Sequence, residues 1–325
     1  MNIIINNTNN ANKCPIYDTD QYFLSDVLLN LIIAIGEDMS DSTDTNPSPA
    51  PSLQKKKKTP WMIIGVVIAI VVALIAVVVL GGFLNSKPTE TDMLKKVKAN
   101  GQLVVGTQVP YKPFEFYNIT SQKYEGIDME LAQKIAAALG VTLVIKPMDF
   151  DPLFAAVDTG QIDMAISSIT ITPTRELTVN FTHSYYLANQ AILVKATSTI
   201  TDINGLNGTK IVTQLGTTGA SWAKTNLVNT GRINSADYSD YVDVAAAAVA
   251  VQNGQKDAFV VDTPVANAYS ADPNNNLKVA FIIETNENYG ICIQKNQTDF
   301  RNAINTVIDN MKADGSLQAL ILKYN

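Results

Sequence analysis

The sequence predicts an α/β fold: a largely parallel sheet with helices on its faces. Three observations carry this. From Met93 onward, short apolar runs alternate with stretches of helical period. The same alternation starts again after residue 195. Gly, Pro, Asp and Thr punctuate most of the changeovers, where turns and helix starts need them.

Taken in order, Leu103–Thr107 reads as the first strand. Asp128 is placed to cap a helix whose Leu131, Ile135 and Leu139 share one face and which stops at Gly140. Val141–Ile145 is the next strand. Asp151-Pro152 begins a helix that Gly160 ends, and Ile162–Ile166 is the third strand. Thr172-Pro173 then predicts another helix, with Thr as N-cap and Pro at the first position, and Arg175 in the first turn. In the second half, Gly208–Leu215 is a strand, Gly216-Thr217-Thr218-Gly219 a tight turn, and a helix runs on through Trp222 and Ala223. Ala245–Gln252 is helical, Asp257–Asp262 is a strand, and Thr263-Pro264 opens a further helix. Gly290–Ile293 is a last strand. Phe300, Ile304, Val307, Ile308 and Met311 form a helical stripe, with Gly315 beyond it.

A length of 325 residues suits about two domains of ~150 residues. Hydrophobic content of 46% with 17% charged residues is that of a globular protein. Net charge is −6 and no basic stripe exists, which argues against nucleic acid as a partner. Cys14 and Cys292 fall in separate segments and make neither a disulfide framework nor a metal site. His183 is the single histidine, which excludes a multi-histidine metal centre. Neither a metal nor a cofactor is expected.

Residues 1–60 read as a disordered tail, and Met39 is a candidate for the true start. Lys55-Lys56-Lys57-Lys58 leads into Trp61–Leu84, an uncharged apolar run long enough to cross ~30 Å of hydrocarbon as a helix. The preceding lysines favour an N-terminus inside the cell. The run is too long for the apolar core of a cleavable signal peptide. Residues 85–92 then serve as a linker, and 93–325 form the folded domain outside the membrane.

Open α/β sheets bind ligands beyond the carboxyl ends of their strands. Gln108, Tyr111 and Phe114 follow the first strand, Phe150 the second, and Ser168, Thr170 and Arg175 the third. A cation in a first helical turn opposes the helix dipole at a cost of roughly 0.3–1 kcal/mol, as befits a residue that awaits an anion. Ser168 and Thr170, two apart on a strand, would face the same way. Gly216 to Gly219 offers backbone N–H groups at a helix start, with Thr217 and Thr218 beside them. Asp262 ends a strand and can accept from an ammonium group. Each has a plainer alternative: the aromatics as core, the glycines as turn residues, Asp262 or a threonine as a helix cap. Together, one cation, one anion, a nest of donors and two or three aromatics match a free α-amino acid. No second carboxylate accompanies Asp262 at the strand ends, so a binding protein is favoured over an enzyme.

Gly126-Ile127-Asp128-Met129-Glu130-Leu131, followed by Ile135 and Ala136, resembles the signature of the extracytoplasmic polar amino-acid-binding proteins of ABC transporters (solute-binding protein family 3). Tyr111-Lys112-Pro113-Phe114, Lys146-Pro147-Met148-Asp149-Phe150 and Asp262-Thr263-Pro264 are similar to the glutamine-binding members. The resemblance covers about Met93 to Asn325. It implies a two-lobed, type II periplasmic-binding-protein-like fold with two hinge strands, here preceded by one transmembrane helix. Lobe one would be about 93–186 with 290–325, and lobe two about 191–285. The hinge would run through Tyr186–Gln190 and Asn286–Tyr289. By resemblance, Arg175 grips the ligand carboxylate with help from Thr170 and Thr218, Asp262 takes the ammonium, and Tyr111 and Phe150 sandwich the side chain. Many members carry an acid where this chain has Gln108, which points to a neutral polar ligand, glutamine first. The expectation is a monomeric, single-pass, membrane-anchored receptor that delivers a polar amino acid to an ABC permease. A signalling ectodomain and a cyclohexadienyl-dehydratase-like enzyme are the alternatives.

Overall fold

The computed structural model describes residues 92–324. The expected tail, the span at 61–84 and nearly all of the linker lie outside them. Among the described residues no helix is long and apolar enough to cross a membrane.

The chain opens with α1 (Met93–Asn100), capped by the Asp92 carboxylate accepting from Lys95 N at 3.1 Å. Then come β1 (Gln102–Thr107), the β2 (Phe116–Asn118) and β3 (Lys123–Glu125) hairpin, and α2 (Ile127–Leu139). β4 (Thr142–Pro147), α3 (Leu153–Asp158), β5 (Met164–Ala165) and β6 (Asn180–Phe181) follow. The second half carries β7 (Tyr186–Lys195), β8 (Ile211–Gln214), α4 (Thr218–Ala223), β9 (Tyr238–Tyr241), α5 (Val244–Gln252), β10 (Ala258–Asp262), α6 (Thr263–Ala271) and β11 (Leu277–Tyr289). The chain ends in β12 (Cys292–Ile293), α7 (Thr298–Ala313) and α8 (Ser316–Tyr324).

Among the described residues β2 pairs with β3 alone, and the other ten strands form two five-stranded sheets, ordered β4-β1-β5-β12-β6 and β11-β7-β10-β8-β9. Each is the centre of one lobe. β1 runs parallel to β4 and β5, and β8 runs parallel to β9 and β10. The sheets are mixed rather than parallel throughout. β12 is antiparallel to β5 and β6, and β7 is antiparallel to β10 and β11. These reversals occur where the chain passes between lobes, once after β6 and once before β12. A direct crossing brings a strand in from the opposite end, unlike a helical crossover.

The apolar periodicity does the packing. Ile127, Leu131, Ile135 and Leu139 of α2 are buried, as are Phe300, Ile304, Ile308 and Met311 of α7. Each such side chain contributes about 1.5–3 kcal/mol by leaving water. α2 begins at Gly126, whose φ is +123° and where an added Cβ would lie 2.1 Å from Phe114 O. Asp128, expected to cap this helix, does not. The first turn is instead satisfied by backbone, with Asp128 N donating to Phe114 O at 3.0 Å. Its fully buried carboxylate accepts from Ser168 N at 2.8 Å and Tyr185 Oη at 3.0 Å.

The helix expected after Thr172-Pro173 is also absent. Arg175–Leu177 make a single 3₁₀ turn, started by Thr172 Oγ1 accepting from Arg175 N at 3.2 Å. The chain must extend again at Asn180 to pair with β12, so the helix cannot propagate. Nor are Ser168 and Thr170 on a regular strand. The β5 strand ends at Ala165, and Ser168 adopts φ +51°.

Candidate functional site

The two lobes meet over a cavity lined from both sides. Gln108, Tyr111, Phe150, Ser168, Thr170 and Arg175 come from the first lobe, and Thr217, Thr218 and Asp262 from the second. Ser167 and Gln214, not singled out by sequence, complete the lining. Each adjoins a position the sequence did flag: Ser167 precedes Ser168, and Gln214 ends the strand before Gly216. The closed space is about 10 Å³, room for one water molecule and far less than an amino acid. An outer cleft of about 650 Å³ adjoins it through Arg175, Thr217 and Thr218.

Two expected site residues lie outside the cavity. Phe114 is fully buried and packs edge-on against Tyr186 and Tyr289, with centroids 4.9 and 5.4 Å away. Gly216, at φ +77°, lines the outer cleft, and its carbonyl accepts from Arg175 Nη2 at 3.1 Å. Thr217 acts as the cap of α4, accepting from Ala220 N at 3.1 Å.

Arg175 sits across the lobe boundary. Nη1 donates to Thr170 O at 2.6 Å, while Nη2 reaches Gly216 in the other lobe. Its guanidinium lies 5.3 Å from the Phe150 ring centre and 5.0 Å from that of Phe154, within cation–π range. Burial lowers its pKa, and the charges of Asp262 and Glu287 among others oppose that shift.

Asp262 ends β10 without capping α6. Oδ1 accepts from Gln190 Nε2 at 2.5 Å, and Oδ2 accepts from the Tyr289 hydroxyl. Burial, with the Glu287 charge second, pushes its pKa up to about 6, and hydrogen bonds from Tyr289, Tyr111 and Gln190 oppose this. Glu287 corrects the expectation that Asp262 has no carboxylate companion. It comes from β11 and is 8% exposed. Its Oε1 accepts from Gln190 Nε2 at 3.0 Å, so a single amide spans both acids.

At another wall, Gln108 Nε2 donates to Val242 O at 3.1 Å, and Gln108 Oε1 accepts from Gln214 Nε2. Asp149 and Asp151 do not line the cavity, and Asp151 faces the outer cleft. Behind the Ser167-Ser168 turn, Gln108 N donates to Ser167 Oγ at 3.0 Å, which donates to Glu115 Oε1 at 2.7 Å. Glu115 is held well above the usual carboxylate range by burial and then by Asp128, and Asp128 is pushed up to about 6 by burial. Ser168 Oγ is buried with no partner among the described residues, so it remains available to a ligand.

Two α/β lobes around an enclosed, polar, two-signed site define a ligand-binding clamshell. Residues 103–325 match the family model for bacterial extracellular solute-binding proteins, family 3, and the chain belongs to that family. It is 34% identical over 244 residues to a probable histidine-binding protein of Campylobacter jejuni, covering 74% of this chain and 91% of that protein. It is 30% identical over 251 residues to the L-cystine-binding protein TcyJ of Escherichia coli K12, covering 77% of this chain and 92% of that protein. Among solved structures, an ancestral arginine-binding protein bound to glutamine matches with a TM-score of 0.64 at 34% identity. That match covers 69% of this chain and 97% of the other. These relatives are amino-acid-binding proteins rather than enzymes.

Proposed function

We propose that this protein is the receptor of an ABC importer, holding a free neutral polar amino acid, glutamine first, and handing it to a permease. The observation that carries this is the pairing of Arg175 with Asp262 around one cavity walled by Tyr111 and Phe150. A zwitterion offers one carboxylate and one ammonium, and the two side chains answer them in kind. Arg175 suits the carboxylate because a planar guanidinium can engage both oxygens at once. The choice of a neutral side chain rests on Gln108 and Gln214, two amides where a cationic ligand would want a carboxylate.

Lobe one is taken as about 93–186 with 290–325 and lobe two as about 191–285. They turn about Tyr186–Gln190 and Asn286–Tyr289, where β7 and β11 pair. With a cavity this small, loading requires the lobes to part and reclose around the ligand. We place the domain outside the cell as a monomer, held by one membrane helix at 61–84, with no catalytic step, metal or cofactor. Calorimetric titration of the full chain in detergent against the twenty amino acids tests the reading. Saturable binding of glutamine ahead of arginine and lysine is expected, and no binding of any amino acid would end it. Protease added to intact cells is expected to release a fragment of about the size of residues 93–325.

A further inference from the structure

Thr170 and Thr218 approach the cavity from opposite lobes. A hydroxyl has one hydrogen to donate and two lone pairs to offer. Both hydrogens are already committed to one atom. Thr170 Oγ1 donates to Glu287 Oε2 at 2.7 Å, and Thr218 Oγ1 donates to the same oxygen at 2.6 Å. A carboxylate has no hydrogen to return, so the direction of both bonds is fixed. What remains for a ligand is lone pairs: both on Thr170 Oγ1 and one on Thr218 Oγ1, whose other accepts from Gln190 Nε2 at 3.4 Å. The two hydroxyls therefore cannot assist Arg175 with a carboxylate while these bonds stand. They suit an ammonium, and Asp262 lines the same cavity.

Glu287 reaches this position because the pairing of β11 with β7 slips between Ile283 and Glu287, with Asn286 at φ +51°. Asn tolerates that left-handed conformation better than most residues. Gln190 Nε2 then holds the other oxygen, Oε1, at 3.0 Å, so the carboxylate is fixed at both ends.

We propose that Glu287 is a positioning residue: it turns the Thr170 and Thr218 hydroxyls into acceptors and so completes, with Asp262, a seat for the ligand's ammonium. One threonine comes from each lobe, so the seat is complete only when the lobes are together. The inference rests on the amino-acid reading above and deepens it. It makes the α-ammonium a condition for tight binding. An amide at position 287 would present N–H to one threonine, and that threonine's own hydrogen would turn into the cavity against the ammonium.

The test uses the full chain in detergent, titrated with L-glutamine, L-histidine, L-arginine and L-cystine. The tightest of these is compared, by displacement at millimolar concentration, with its deaminated counterpart. The counterparts are glutaramic acid, 3-(imidazol-4-yl)propanoic acid, 5-guanidinopentanoic acid and 3,3′-dithiodipropanoic acid. Glu287→Gln is expected to weaken the amino acid at least about tenfold while moving the deaminated compound less than about threefold. In a Thr218→Val background the same substitution is expected to cost clearly less, because one of its two targets is gone. Equal weakening of both compounds, unchanged amino-acid affinity, or full additivity with Thr218→Val overturns the inference. If the deaminated compound does not compete at all, the Thr218→Val cycle decides. A wild-type protein that binds none of the four amino acids overturns the amino-acid reading itself, and this inference with it.

Discussion

Arg175→Lys keeps the charge at the centre of the proposed site and removes its shape. The wild-type guanidinium reaches Thr170 O at 2.6 Å and Gly216 O at 3.1 Å, and it lies within 5.3 Å of two aromatic ring centres. Nη1 is held by Thr170 O in its own lobe, which orients one edge of the guanidinium before a ligand arrives, and Gly216 O joins from the other lobe on closure. A lysine ammonium is a single point on a flexible stem and cannot bridge both carbonyls while also gripping a carboxylate. The loss includes one charge-assisted hydrogen bond, about 1.5–3 kcal/mol, and part of a cation–π contact, about 0.5–1 kcal/mol. The retained charge returns some of that, so the expected net loss is at least about 1.4 kcal/mol, a tenfold weaker complex. Arg175→Ala removes the charge too and should cost about 2–5 kcal/mol, bringing binding close to abolition. Both variants should stay folded, because Arg175 borders the outer cleft, where water can replace it at the two carbonyls. Isothermal titration of each variant, with a thermal melt to establish folding, makes the measurement. Wild-type affinity in a folded Arg175→Ala protein would refute the reasoning.

Gln108→Asp puts a carboxylate where two amides now meet and should shift preference from glutamine toward arginine by about tenfold, read as a ratio of dissociation constants; an unchanged ratio would show that Gln108 does not select. Ligand affinity should fall as pH drops through about 6, where Asp262 takes a proton and ceases to attract an ammonium; a flat profile from pH 7 to 5 argues against that role. The melting temperature of the ligand-free protein should move the other way. Asp262 and Asp128, both at about 6 against an ordinary 3.8, take up protons in the folded state before the unfolded one does, so their contribution to stability grows as pH falls from 7 toward 4. Gly126→Ala should destabilise by about 3 kcal/mol or more in urea unfolding, since a Cβ at φ +123° would meet Phe114 O at 2.1 Å.

Elements with a long apolar period are legible in the sequence. Val244–Gln252 and Thr298–Ala313 lie where the stripes place them, because burial of one helix face is written in the spacing itself. The failures are local signals overruled from a distance. Thr172-Pro173 is a sound helix start, yet the helix is one turn long because the next residues must join β12, more than a hundred positions away. Asp128 has the right identity for a cap, but Gly126 brings the chain in so that Phe114 O meets its N–H. Its carboxylate is then free to hold Ser168 and Tyr185.

The candidate site divides in the same way. Residues just beyond strand ends could be named because an open α/β sheet presents its carboxyl edge to the cleft, whatever the side chains are. Gln108, Phe150, Arg175 and Asp262, which that rule names, line the cavity, and Phe114 does not, because a turn residue can face core as easily as cleft. Glu287 and Gln190 escaped it. They sit within the paired segments that link the lobes, where a polar residue normally marks the solvent face of a strand. A strand bulge, invisible in composition or period, turns Glu287 inward. The consequence for chemistry is larger than one added residue. Residue types alone allowed Thr170 and Thr218 to serve either end of a zwitterion. Only the position of a third side chain decides that both hydrogens are spent while a lone pair on each oxygen stays open, Thr218 sharing its other with Gln190 Nε2.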